Sequence, residues 1–203
     1  MDELLNPFTR LSEESNPLPF DCGFDDLNEF FKKDALKYQS KLLAVTYYLE
    51  RGERTIVFFT LSNDKISAEE QKKGKFLFSN SFFRKIKDKF GREKHRNDYP
   101  AVKIGRFGVH KDFQKSENHW GTLTLDYIKN WMIANNKTGC CFLTVDAYAV
   151  AVKFYLRNGF KFMGKQEESD YLDWEKSFKK EKISSKTDFP TFAMYYNLLE
   201  LLP

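Results

Sequence analysis

Tyr155 lies in the run Phe154-Tyr155-Leu156-Arg157-Asn158-Gly159-Phe160. A phenol with a reference pKa of ~10 keeps its proton at physiological pH and can donate it. A tyrosine beside a phenylalanine in a helix is also an ordinary core or surface aromatic, so its meaning depends on the frame around it. Gly121 and Thr122 open a segment of helical periodicity. Its first N–H groups, at the positive end of the helix dipole, can receive a diphosphate or simply begin a helix. Just upstream, Phe107, Gly108 and Val109 read as a strand whose backbone can pair with an amide-rich ligand as another strand would. Asp146, at the end of an apolar run, is a base or an N-cap for the next helix, and capping is the reading its position favours. His110 and His119 lack a ligand cluster, and Cys140 and Cys141 are adjacent rather than spaced, so no metal is expected.

These residues need elements to hold them. After the Pro-rich entry Asn16-Pro17-Leu18-Pro19, the stripe Leu27, Phe30, Phe31, Ala35 and Leu36 predicts a helix from about Asp26 to Tyr38, with Asp26 and Glu29 spaced as a capping box. Asp34 interrupts that stripe. Leu43–Glu50 and Thr55–Leu61, rich in β-branched and aromatic residues and separated by Arg51-Gly52-Glu53-Arg54, predict an antiparallel hairpin. Ala101–Val109 reads as a strand and Gly121–Asn135 as a helix carrying Leu125, Ile128 and Met132 on one face. Cys140–Val145 is an apolar run typical of a strand buried on both faces. A short helix from about Val150 to Arg157 follows, stopped by Asn158-Gly159 with Phe160 at the position of a hydrophobic C-cap contact. Thr191–Leu198 is expected to close the sheet after a charged stretch from Lys165 to Lys186. The order of elements favours an α/β or α+β domain with a mixed sheet.

The whole chain has 203 residues, 41% apolar and 17% aromatic, enough for one compact domain. With 33 Lys and Arg against 29 Asp and Glu, its net charge of +4 selects no partner. The segment Lys65–Arg96 is different. It holds eleven Lys or Arg and four Asp or Glu, interleaved with Phe76, Phe78, Phe82, Phe83 and Phe90. It reads as an amphipathic helical insertion at about 65–98, either a solvated face packed on the core or a surface for RNA phosphates and bases. Three cysteines, an acidic N-terminus without a signal pattern and no apolar run of membrane-spanning length point to a cytoplasmic protein without membrane association.

Three runs resemble the acetyl-CoA core of the GNAT superfamily of N-acetyltransferases. They are IGRFGVHKDFQ (Ile104–Gln114), WGTLTLDYIKNWM (Trp120–Met132) and VDAYAVAVKFYLRNGF (Val145–Phe160), the last being the most specific. FDCGFDDLNEFFKKDA (Phe20–Ala35) and Thr60-Leu61-Ser62 further resemble the toxin-type branch that acetylates aminoacyl-tRNA. The resemblance implies a mixed, mostly antiparallel sheet flanked by helices, with a splayed strand pair for CoA, in a single domain over 1–203. It implies that acetyl-CoA is the acyl donor. Phe107, Gly108, Val109, Gln114, Asn118, His119, Trp120, Gly121, Thr122, Ala151 and Phe154 then fall at the cofactor, and Tyr155 protonates the departing thiolate. Arg106 and Asp146 fall on the acceptor side, where Arg106 contacts acceptor RNA or pairs with an acidic neighbour. The acceptor is a primary amine, either the α-amine of aminoacyl-tRNA or a peptide N-terminus. An antitoxin protein and a homodimer partner belong to the same expectation.

One departure stands out. The family pattern of Q or R, then x-x-G-x-G or A, becomes Gln114-Lys115-Ser116-Glu117-Asn118-His119-Trp120-Gly121, a longer loop with His119 where a glycine is usual. A non-glycine residue resists positive φ, although His is among the more tolerant. The competing reading is therefore a catalytically degenerate GNAT-like module that binds RNA or a protein partner. No general base is evident, which favours an α-amine of pKa ~8 over a lysine amine at ~10.4 as acceptor.

Overall fold

The computed structural model describes residues 7–67, 98–134, 136, 139–181 and 189–202. The chain divides into two compact units, Met1–Asn63 with Val102–Lys137, and Asp64–Ala101 with Thr138–Pro203. Among the described residues, seven strands are ordered β1-β2-β3-β4 in the first unit and β3-β4-β5-β7-β6 in the second, because β3 and β4 run through both. These strands are β1 (Thr9–Arg10), β2 (Val45–Arg51), β3 (Arg54–Ser67), β4 (Asp98–Val109), β5 (Phe142–Tyr148), β6 (Lys161–Phe162) and β7 (Thr191–Asn197). The β1–β2, β2–β3, β5–β7 and β6–β7 pairings are antiparallel. The mixed, mostly antiparallel sheet is the one expected from the sequence.

In the first unit, the strand period of two sends neighbouring aromatics to opposite faces. Tyr48 pairs with Phe58 across the hairpin, and Tyr47 with Phe59. Phe58 stacks on Phe31 at 4.5 Å, on the side of α1 (Asp25–Glu29), a π-helical turn (Phe30–Asp34) and α2 (Ala35–Ser40). On the other face, Tyr47 meets Trp131 at 5.0 Å, from α3 (Trp120–Ala134). With helices on both faces, Ile56, Val57, Phe58 and Phe59 are all fully buried. This explains why the segment is apolar without alternation.

The first helix departs from its expected form in two ways. Its N-cap is Phe24, with no side-chain cap bond, so Asp26 and Glu29 do not form a capping box. Asp21 takes over the local polar work: it accepts from the Gly23 N–H and from Asn28, and it pairs with Lys111. These contacts hold its carboxyl well below the usual carboxylate range, Lys111 contributing most. In the π turn, the Ala35 N–H reaches back to the Phe30 carbonyl. That extra residue moves Asp34 off the apolar stripe while Phe30, Phe31 and Ala35 stay buried.

In the second unit, β5 is longer than the apolar run suggested. It continues through Asp146 to Tyr148, paired along its length with β7. The strand entry of Cys141 donates to the Pro100 carbonyl at 3.0 Å. A short 3-10 turn (Ala149–Ala151) precedes α4 (Val152–Arg157), where a helix from Val150 was expected. The charged stretch after Gly164 forms α5 (Lys165–Glu181). Its Tyr171 packs on Phe162 at 5.5 Å and Phe192 at 5.4 Å, and Trp174 stacks on Phe178 at 4.8 Å. The spacing of Tyr171, Trp174 and Phe178 is that of one helix face, a signal outweighed by the charge around it. Of the expected insertion, Lys65–Ser67 complete β3 and Asp98 begins β4, and residues 68–97 lie outside the described residues.

Gly108 shows how closely β4 is held. A Cβ there would stand 2.9 Å from both the Phe20 and Phe58 rings. Gly108→Ala is expected to cost about 1–3 kcal/mol through overpacking. A guanidinium titration will show this as a lower midpoint at unchanged slope, whereas an unchanged midpoint contradicts the packing described here.

Candidate functional site

The first unit contributes a strand, a loop and a helix start. On β4, the Arg106 N–H donates to Thr60 Oγ1 at 2.8 Å, and beyond its end the His110 N–H donates to the Ile56 carbonyl at 2.8 Å. Both point to β3. Strand alternation therefore directs the Phe107 and Val109 N–H groups away from β3.

A 3-10 turn (Lys111–Phe113) follows His110. Burial lowers the His110 pKa, and its Nδ1 accepts from the Asp112 N–H at 3.2 Å, while Asp112 pairs with Arg54. Gln114 spends its side-chain amide on the protein, donating to the Cys22 carbonyl at 2.9 Å and to the Val109 carbonyl at 2.8 Å. It therefore clips the end of β4 to the N-terminal segment. Asn118 and His119 are exposed.

His119 has φ +47 and Lys115 φ +59. The loop thus takes the left-handed backbone that the missing glycine would have favoured, with histidine in its place. The His119 N–H donates to the Ser116 carbonyl, and its own carbonyl accepts from Leu123 at 3.1 Å. Trp120, Gly121 and Thr122 come before that first helical bond, so their N–H groups have no acceptor inside the helix. These are the groups an anion would use. The Trp120 ring is turned toward Arg51, whose guanidinium lies 5.6 Å from its centroid, and Nε1 is buried without an acceptor among the described residues. Among the groups of Trp120, the backbone N–H rather than the ring is the one open to a ligand at the helix start.

The second unit contributes Tyr155. It is the third residue from the end of α4, and its carbonyl accepts from Phe160 and from Asn158, each at 3.0 Å, while Gly159 donates to Leu156. Gly159 has φ +82, completing a Schellman stop. The Phe160 ring packs on the Tyr155 ring at 5.2 Å, which is the hydrophobic contact that accompanies this motif. The NGF sequence thus locks the tyrosine from below, and Phe154 packs on it at 5.2 Å. Tyr155 is only 4% exposed, and burial pushes its phenol far above the usual range. It keeps its proton at any physiological pH. Ala151 ends the preceding turn and is half-buried.

Asp146 is exposed within β5 opposite Ala193 and does not cap the next helix, whose lead-in is Tyr148 with no side-chain cap. The strand simply runs past it. Arg106 lies over the Phe30 ring at 5.2 Å and forms a long ion pair with Asp26 at 3.9 Å, the acidic neighbour that its expectation allowed for. Sequence reasoning missed Thr60 and Phe30 as the residues that place Arg106. A cavity of about 290 Å³ in the first unit, bordered by Arg10, Gln39, Tyr47 and Trp131, contains none of the expected site residues.

The strain at His119 has a measurable consequence. His119→Val, a β-branched residue at positive φ, should lose about 1–2 kcal/mol, whereas His119→Gly should be neutral or slightly stabilising. Equal denaturation midpoints for the two variants would remove the left-handed conformation from the account.

No protein-family model and no curated protein matches the sequence. Solved structures do match the fold. AtaT complexed with acetyl-methionyl-tRNAfMet superposes with a TM-score of 0.66 at 17% identity, covering 96% of this chain and 95% of that one. AtaTR bound with acetyl-CoA gives 0.63 at 19%, covering 96% of each chain. A Tyr-to-Phe mutant of KacT gives 0.62 at 20%, covering 97% of this chain and 98% of that one. The fold is therefore the GNAT fold, over nearly the whole chain. No described helix is long and apolar enough to cross a membrane.

Proposed function

We propose that this chain is an N-acetyltransferase that moves the acetyl group of acetyl-CoA to a primary α-amine. The observation that carries the reading is Tyr155, buried, protonated and locked by the Phe160 and Gly159 stop at the position the GNAT resemblance assigns to the acid. The left-handed His119 supports it too, since the loop before α3 reaches the required backbone without glycine. This favours an active donor site over the degenerate module.

In the proposed reaction the neutral amine attacks the thioester carbonyl, a C–N bond forms and the C–S bond breaks. The Val109 N–H, directed away from β3, is the donor for the developing oxyanion. The N–H groups of Trp120, Gly121 and Thr122 take the diphosphate of CoA. Tyr155 gives its proton to the departing sulfur, and the ammonium nitrogen of the tetrahedral intermediate returns one to it as the amide forms, so the balance closes without another reactant. The raised pKa of Tyr155 keeps it protonated before attack, so it does not serve as the base that neutralises the incoming amine. The acceptor amine must then arrive neutral, which suits an α-amine of pKa ~8.

The acceptor we favour is the α-amine of aminoacyl-tRNA, because the fold matches AtaT in a complex with acetyl-methionyl-tRNAfMet. A peptide N-terminus meets the same pKa requirement. An antitoxin partner is proposed on the same footing, AtaT being known bound to the C-terminus of the antitoxin AtaR. Cytoplasmic location and a homodimer complete the proposal.

Tyr155→Phe should still bind acetyl-CoA while kcat falls about 10²–10⁴-fold. Turnover equal to wild type would exclude Tyr155 as the acid. The pH profile gives a separate check: kcat/KM should rise as the acceptor amine loses its proton and show no descending limb up to pH ~10, because burial holds the phenol above its ordinary value. A descending limb with a midpoint well below 10 would contradict that environment.

A further inference from the structure

The cavity of about 290 Å³ beside the turn from α2 to β2 has the size and the apolar lining of a small-molecule site. Tyr47 and Trp131, edge to face at 5.0 Å, line it together with Leu42 and Leu43 of the turn. Gln39 is fixed in the wall, donating to the Leu11 carbonyl at 2.6 Å and accepting from the Thr46 N–H at 3.3 Å. Arg10 is the one charged side chain among the described lining residues, and no carboxylate stands with it. Its guanidinium has no ion pair or hydrogen bond among the described residues, and its charge is felt at the Tyr47 phenol, which burial keeps protonated. Leu42 is an independent sign. α2 ends in a Schellman stop, with the Leu43 N–H donating to the Tyr38 carbonyl at 2.9 Å and the Leu42 N–H to the Gln39 carbonyl at 3.0 Å. The position that favours glycine in this stop holds Leu42, at φ +58 and 94% exposed. A leucine there strains the backbone and leaves an apolar side chain in water. Such an outlier bordering a cavity points to a ligand that covers it.

We infer that this cavity binds a small aliphatic monocarboxylic acid, with Arg10 and the Tyr47 hydroxyl on the carboxylate and Leu42, Leu43 and Trp131 along the chain. A guanidinium and a phenol O–H are both donors, and a carboxylate is acceptor only. A free amino acid would bring an ammonium, for which the described lining has no carboxylate. A phosphate monoester would bring a second negative charge with a single guanidinium to meet it. A chain of about eight carbons suits the volume. The site is separate from the one proposed for acetyl transfer. None of the residues assigned to that reaction lines the cavity, and Trp131 lies eleven residues along α3 from Trp120, about 16 Å at ~1.5 Å per residue.

The test follows the indole N–H resonances of the three tryptophans while octanoate, octanamide or 2-aminooctanoate is added, with Trp131→Phe assigning the Trp131 signal. Octanoate should move the Trp131 resonance saturably and leave that of Trp174 in place. Octanamide and 2-aminooctanoate should each bind about tenfold more weakly. Arg10→Gln, at an exposed position on β1, should raise the octanoate Kd about tenfold and bring acid and amide together. Leu42→Gly should leave the unfolding midpoint unchanged or raise it, because glycine suits φ +58, and yet weaken octanoate binding. A leucine with a structural role alone would not separate those two readouts. A Trp131 resonance that never moves overturns the inference, and so do equal Kd values for octanoate and octanamide in wild type. Release of octanoate by saturating acetyl-CoA overturns it as well, since the acid would then occupy the proposed donor site.

Discussion

The two faces of β3 organise the first unit. Phe58 and Phe59 are adjacent and both fully buried, which is possible only when each face of the strand has its own cover. Phe58 takes the α1 and π-turn side, and Phe59 packs with Phe8 and Tyr47 on the side of Tyr127 and Trp131 from α3. The same strand sets β4. Gly108 lies against the Phe58 ring and Arg106 hangs from Thr60, so one strand spaces both the backbone donor proposed for the oxyanion and the arginine that the resemblance puts on the acceptor side. Because the packing is aromatic on both faces, little in this unit can shift alone.

The second unit depends on a local device instead. Tyr155 is held by its own helix end, through two bonds to its carbonyl and ring contacts with Phe154 and Phe160. That is why the frame FY…NGF was legible in sequence: Gly159 needs its positive φ and Phe160 its place against Tyr155, and both are local requirements. The β2–β3 hairpin and the α3 helix were legible for the same reason, each having a periodicity and a stop within a few residues.

The features that escaped depend on context that a single periodicity does not carry. The π turn at Phe30–Asp34 is a change of phase, so Asp34 looked like a break in a regular helix. Asp146 reads as a cap because charge follows an apolar run, yet cross-strand pairing with Ala193 carries β5 past it. In α5 the aromatic face was hidden by the Lys and Glu residues around it, although Tyr171 is buried against Phe162 and Phe192. His119 was the more instructive case. Its residue type argued for a deformed loop, but the backbone takes φ +47 regardless, and the cost is one that histidine tolerates better than most side chains.

The central claim is that acetyl-CoA is the donor substrate of this fold. A ligand that binds only the folded state raises its stability in proportion to the logarithm of its concentration over Kd, by about 2.7 kcal/mol at a hundredfold excess. Thermal unfolding followed across an acetyl-CoA series should therefore show a saturable onset and then a steady rise in Tm, with desulfo-CoA giving a similar rise through the diphosphate contacts. A Tm that stays flat up to millimolar acetyl-CoA would contradict the account at its root.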